Sequence, residues 1–271
     1  AWVTAKGRCC VRYVVSEPFP ARHSCRGISN FSLSNRFTGF EQMTRLLTLD
    51  SVSLSFDMGA NIRYDAVSSI SLQIAAGDRV GVVGANGSGK STLLKIMAKI
   101  FEPEDGHVEW APNVTASLLT LGLGFRPDLS GRDNAYLSCL LMGLSSKAAS
   151  SCLNEIESFC ELGSFFDQPV KFYSTGMRAR LAFGSALINQ SQVLLIDEVL
   201  SVGDSVFREK AKHALEEQLS PERAAIIVSH NLGQVSSLAD TAILMERGEI
   251  SASGAVDDVL EVYQRSTVTS R

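Results

Sequence analysis

The chain has 271 residues, 45% of them hydrophobic and 20% charged, a globular composition with room for one large α/β core or two small ones. No apolar run approaches the roughly 18 residues that a membrane span needs, so any work at a membrane would depend on another chain crossing it. The net charge of −4 hides an asymmetry: residues 1–42 carry six basic side chains against two acidic ones, and the acidic remainder argues against a broad nucleic-acid footprint.

Residues 1–42 are Arg- and Ser-rich, without periodicity, and read as an N-terminal extension outside the fold. Translated upstream sequence, an organelle transit peptide and a basic arm all fit that composition, and Met43 is a plausible natural start. The folded domain is expected over 43–265, with 266–271 a tail. Alternation at Leu47, Leu49, Val52, Leu54 and Phe56 predicts a strand, Asp57 to Asn61 a turn, and Val67 to Ile74 a second strand. Arg79 to Val83 is a buried strand, and the apolar spacing of Leu93, Leu94, Ile96, Met97 and Ile100 predicts an amphipathic helix. A short strand follows at His107 to Trp110. Helix-length patterns around Leu137 to Leu141 and Ile156 to Cys160 mark a helical insertion, about 115–188. The α/β body resumes with an apolar strand, Val193 to Ile196, ending in Asp197 and Glu198. A helix from about Val206 to Leu219, a buried strand Ala224 to Val228, and a hairpin flanking Arg247-Gly248 complete it. Such alternation predicts a mostly parallel sheet with helices on both faces. The six cysteines, Cys9, Cys10, Cys25, Cys139, Cys152 and Cys160, show no C-x-x-C spacing and read as reduced thiols.

Between the third strand and its helix stands Gly84-Ala85-Asn86-Gly87-Ser88-Gly89-Lys90-Ser91, a full match to the phosphate-binding pattern G-x-x-x-x-G-K-[ST]. Strand, glycine loop and helix N-terminus put backbone N–H groups around a phosphate, with Lys90 as a point charge and the Ser91 hydroxyl facing Mg²⁺. A strand ending in adjacent carboxylates suits metal-nucleotide chemistry, because parallel sheets bind ligands at the carboxyl ends of their strands. Asp197 would orient Mg²⁺ or its water shell, Glu198 would accept a proton from the attacking water, and His230 would position that water. Ser174-Thr175-Gly176-Met177 opens another helical pattern and is a second anion-binding helix terminus, which points to a composite site.

These residues, with the Ser201-Val202-Gly203-Asp204 turn, stand in the order and spacing of ABC-type ATPase domains, a resemblance that covers about residues 46–260. It implies a P-loop NTPase (RecA-like) core with an antiparallel β part and an inserted helical subdomain. It also implies ATP and Mg²⁺ as ligands and a head-to-tail homodimer, in which Ser174, Thr175 and Gly176 of one subunit close over ATP held by Asn86, Lys90, Ser91 and Thr92 of the other. Asp204 would join that site, and Phe56 would stack on adenine, with Tyr64 as the alternative. The match looks closest to ATP-binding subunits of exporters of O-antigen, capsule or teichoic acid. It is carried by Leu121-Gly122-Leu123-Gly124-Phe125-Arg126-Pro127-Asp128-Leu129-Ser130-Gly131-Arg132-Asp133-Asn134, Tyr173 to Met177, and Asp197 to Asp204. The implied partners are integral membrane subunits, and the implied location is peripheral, on the cytoplasmic face of the plasma membrane. Two departures stand out. Residues 113–134 contain no glutamine where ABC domains usually carry one, with Thr120 or Leu121 near that place, and Thr175 and Met177 replace the commoner Gly and Gln. Rival readings are an ABC ATPase for another substrate, a non-transport ABC ATPase acting on DNA or ribosomes, and an ordinary phosphate-loop kinase or GTPase. The second would carry a long coiled-coil insertion or two tandem halves, and a GTPase would need an N-K-x-D motif; the chain has none of these.

Overall fold

The computed structural model describes residues 45–59, 62–119, 124–188, 190–198 and 204–269. The expected extension 1–42, the Thr120/Leu121 position and residues 201–203 lie outside these.

Two sheets organise the chain. The first is antiparallel, in the order β2-β1-β4, from β1 (Arg45–Asp57), β2 (Arg63–Ala75) and β4 (Asp105–Trp110). The second has six strands in the order β5-β6-β7-β3-β8-β9. Its members are β3 (Arg79–Val83), β5 (Ala116–Leu119), β6 (Val193–Asp197), β7 (Ala224–Val228), β8 (Thr241–Glu246) and β9 (Glu249–Ala255). All neighbours in it are parallel except β8 and β9, which form a hairpin. Its central strands are near-continuous apolar runs, with Arg79 at the start of β3 and Asp197 at the end of β6, as fits strands covered on both faces.

Residue alternation decides which cover each side chain meets. From β6, Val193 and Leu195 join α1 (Lys90–Met97) and the inward face of β1 and β2, in a core with Leu93, Met97, Leu49 and Ile74. Leu194 and Ile196 point the other way. There they meet α4 (Thr175–Leu187), α5 (Ser205–Gln218), α6 (Leu232–Leu238) and α7 (Val256–Thr269) through Phe183, Phe207, Val235 and Val259. One face of the main sheet is therefore covered by a single helix and a second sheet, not by helices alone. The insertion has its own core, in which α2 (Gly131–Leu141) and α3 (Ser146–Cys160) pack with the start of α4 around Cys139, Ile156, Phe166, Tyr173 and Leu181. Cys139, Cys152 and Cys160 are free, and burial pushes the Cys139 thiol up to about 11 and Cys160 to about 12, leaving both unreactive at neutral pH.

Three expectations need correcting. Strand β5 belongs to the main sheet, paired with β6, so the helical insertion starts after Leu119 and not at about 115. Helix α1 stops at Met97, and Ile100, the last position of its apolar pattern, lies beyond it and is exposed. Helix α7 runs through Thr269, so most of the expected tail is helical backbone.

Candidate nucleotide site

The site is built at the carboxyl ends of β3, β6 and β7, adjacent strands in the main sheet. The loop leaving β3 reaches α1 through Gly89, which caps the helix at φ 101, a conformation that favours glycine. A side chain there would also strike the Ala66 carbonyl, since a Cβ would lie 2.1 Å from its oxygen. The loop tip, Ala85 to Gly87, is exposed, while Ser88, Gly89 and Lys90 are buried. Lys90 turns back into the loop: its Nζ donates to the carbonyls of Gly84 (2.9 Å) and Ala85 (2.7 Å). Burial pulls the Lys90 ammonium below the usual lysine range, and the charges of Glu198 and Asp197 oppose that shift.

The Ser91 hydroxyl donates to Asp197 Oδ1 at 3.1 Å, bringing the first turn of α1 against the end of β6. Glu198 follows in a left-handed backbone conformation, φ 56, with its amide bonded to the Val228 carbonyl at 3.0 Å. A non-glycine residue held there stores strain on the order of 1–3 kcal/mol. The conformation turns the carboxylate toward the end of β7, where its Oε1 lies 2.6 Å from His230 Nε2, both groups about half-exposed. The turn carrying His230 is fixed on both sides. Ser229 Oγ accepts from the Asn231 amide at 3.1 Å, and Asn231 Oδ1 caps α6 by accepting from Gly233 (3.0 Å) and Gln234 (3.3 Å).

Tyr64 leans over the loop and donates its hydroxyl to the Gly87 carbonyl. Phe56 lies opposite Tyr64 in the β1–β2 ladder but packs edge-on against Phe101, ring centres 5.6 Å apart. Of the two aromatics expected near the base, Tyr64 is the one that touches the loop.

The second cradle lies apart from the first. Ser174 caps α4, accepting from the Met177 amide at 3.1 Å; Ser174 and Thr175 are exposed, and a side chain added at Gly176 would meet only Ser174 Oγ, at 3.9 Å. Among the described residues, no hydrogen bond or ion pair joins 174–176 to the loop of the same chain. Asp204 is fully committed elsewhere: Oδ1 accepts from the Phe207 amide at 2.8 Å to cap α5, and Oδ2 accepts from Arg180 on α4. Those two bonds hold its carboxyl below the usual aspartate range.

Comparison with known proteins bears on this arrangement. A family model described as ABC transporter matches residues 67–201. The O-antigen export system ATP-binding protein RfbB of Klebsiella pneumoniae is 36% identical over 212 residues, covering 78% of this chain and 86% of that protein. The chain belongs to the ABC transporter family. The teichoic acids export ATP-binding protein TagH of Shouchella clausii (strain KSM-K16) is 35% identical over 201 residues, 74% of this ABC chain and 55% of TagH. The ABC chain thus spans about half the length of that relative. Among solved structures, the dimeric ATP-binding cassette MJ0796 in a post-hydrolysis state bound to ADP and Pi superposes with a TM-score of 0.67 at 21% identity, over 78% of the ABC chain and 99% of MJ0796. The fold is that of ABC ATPase cassettes.

Within one ABC chain, then, the structure gathers Lys90, Ser91, Asp197, Glu198 and His230 around the loop and leaves Ser174, Thr175 and Gly176 facing solvent. Sequence reasoning did not foresee the parts that press on the loop from outside, Ala66, Met245 and Gly248. Nothing local announces them, because each meets the loop, largely through backbone atoms, from a strand or turn distant in sequence.

Proposed function

We propose that the chain is the ATP-hydrolysing, nucleotide-binding subunit of an exporter of cell-surface polysaccharide, acting through separate membrane-spanning subunits from the cytoplasmic face of the membrane. Residues 43–265 form the ATP-binding domain. The reading rests on one observation above all: a loop with its lysine, hydroxyl, carboxylates and imidazole in place, and, apart from it, an exposed, capped helix terminus that no hydrogen bond or ion pair among the described residues joins to that loop. A second copy placed head to tail supplies Ser174, Thr175 and Gly176 to ATP cradled by Gly84, Asn86, Gly87, Ser88, Gly89, Lys90, Ser91 and Thr92.

Lys90 exchanges its two loop carbonyls for phosphate oxygens. The Ser91 hydroxyl and Asp197 carboxylate are hard oxygen donors 3.1 Å apart and fit Mg²⁺. When bound, that ion would offset charge on the phosphates. Glu198 accepts the proton of the attacking water, and His230, within hydrogen-bonding distance of Glu198, holds that water or the terminal phosphate in line. The exposed ring of Tyr64 takes the adenine in place of Phe56. Asp204 acts through Arg180, setting α4 relative to α5, and reaches nucleotide only if dimer closure frees it. The names of the relatives support polysaccharide export, and no helix among the described residues is long and apolar enough to cross a membrane. Light scattering of the purified chain with and without MgATP, together with phosphate release, tests the core of the reading. An ATP-dependent dimer with slow turnover is expected; a monomer at every ATP concentration, with no phosphate released, would overturn it.

A further inference from the structure

We infer that Gly248, in the turn between β8 and β9, is a positioning residue for the nucleotide loop, and that the loop holds its phosphate-binding shape because this turn fastens it to β2. The inference rests on the reading of Gly84 to Ser91 as a nucleotide site.

The β8–β9 hairpin closes through the pair Glu246 and Glu249, leaving Arg247 and Gly248 as its two turn residues. Both have left-handed backbones, φ 51 and φ 86, the signature of the tight turn whose twist matches a hairpin. In such a turn the second residue's amide and carbonyl have no partner inside the hairpin. Here both are used, and by different elements. The Gly248 amide donates to the Ser88 carbonyl, in the middle of the loop, at 3.1 Å, and the Gly248 carbonyl accepts from the Ser68 amide of β2 at 2.9 Å. The peptide groups of one glycine thus join the loop to a strand of the other sheet.

The packing around that link leaves no slack. A Cβ on Gly248 would lie 3.1 Å from the Ala66 carbonyl oxygen, and one on Gly84 only 2.2 Å from the Met245 carbonyl oxygen. The loop is enclosed from outside mainly by backbone, Met245 of β8 at its start, Gly248 at its middle and Ala66 of β2 at its end, where the Met245 side chain joins it. Tyr64, on that same β2, adds a bond to the exposed tip at Gly87. Lys90 holds the loop only from within, through the carbonyls of Gly84 and Ala85, and phosphate would take it away from them. The external fastening is what remains when nucleotide binds. A hairpin serving only to end a sheet would leave those two peptide groups to water.

The test compares Gly248→Ala and Gly248→Asn with Gly254→Ala, reading the KM and kcat for ATP alongside thermal midpoints. Gly254, at φ 159 near the far end of β9, has nothing within 4 Å of its would-be Cβ, so its variant strains the backbone without touching the loop. Gly248→Ala should raise the KM about tenfold while kcat changes less than about threefold, and Gly254→Ala should leave the KM unchanged even where it lowers the midpoint as much. Asn tolerates the left-handed conformation, so Gly248→Asn should recover stability while its side chain still presses on Ala66, keeping the KM raised. That variant decides the matter should the alanine form fail to fold. A wild-type KM in the Gly248 variants, or a KM that rises equally in Gly254→Ala, overturns the inference. Failure of the wild-type chain to bind ATP sinks the functional reading itself, and the inference with it.

Discussion

The loop at Gly84 to Ser91 and the helix start at Ser174 to Gly176 both present backbone amides for an anion, yet they are built on opposite principles. The loop is inserted between two sheets: Lys90 is 6% exposed, and the surrounding contacts come from β2, β6 and β8. The helix start stands free, held by the hydroxyl of its own Ser174. In the composite site proposed above, the enclosed half would select the nucleotide and the exposed half would report on it.

Perturbing each half separately tests that division. The largest effect is expected from Glu198→Gln, which removes the proton acceptor but keeps the size of the side chain. Phosphate release should fall by about a hundredfold or more while ATP still binds, and an ATP-dependent dimer should persist on gel filtration. Turnover like the wild type would remove Glu198 from the chemistry. Next in size is Ser174→Arg. Turnover and dimer formation should be lost, with equilibrium binding of nucleotide to the isolated chain changed less than about twofold, since the single cap bond from the Met177 amide to the Ser174 hydroxyl is all that the chain itself loses. Equal loss of binding would mean that the two halves are not separable.

Smaller effects sharpen the picture. The Phe207 amide bond, and after it the Arg180 pair, depress the Asp204 carboxyl, so the stabilisation they give is complete above the ordinary aspartate value of about 4 and is lost as pH falls through the lower folded value. Asp204→Asn keeps the cap and discards the charge. Its thermal midpoint should therefore lie below that of the wild type at pH 7, with the gap narrowing toward pH 3; a constant gap would deny the ion pair its role. The smallest change is expected from Tyr64→Phe. Losing one hydroxyl bond to Gly87 should weaken nucleotide binding only a few-fold, in line with about 1 kcal/mol for a neutral hydrogen bond, whereas Tyr64→Ala should weaken it further by removing the ring.

The loop, the carboxylates ending β6 and the histidine ending β7 were legible in the sequence because each joins a short chemical pattern to a buried strand, and buried parallel strands announce themselves by continuous apolar runs. Strand β5 was not, since a four-residue edge strand with one buried side chain, Leu119, carries almost no periodic signal. That Phe56 packs on Phe101 while Tyr64 reaches the loop was not legible either. They face one another in the ladder, and only the position of Phe101, 45 residues along from Phe56, decides which ring is taken into the core. Asp204 is expected at the site from the family resemblance of the Ser201-Val202-Gly203-Asp204 turn. Its actual bonds run to Phe207 three residues on and to Arg180 on another helix, and the second of these is visible only once α4 and α5 are packed together.

The position of β3 between β7 and β8 has one more consequence. Its amides are bonded on both sides to strands that are themselves interior, so they should be among the last in the molecule to exchange with solvent deuterium, opening only when the whole sheet opens. The loop therefore hangs from a strand bonded along both edges, while its own tip, Ala85 to Gly87, is exposed; motion of the loop is expected at that tip before the strand beneath it gives way.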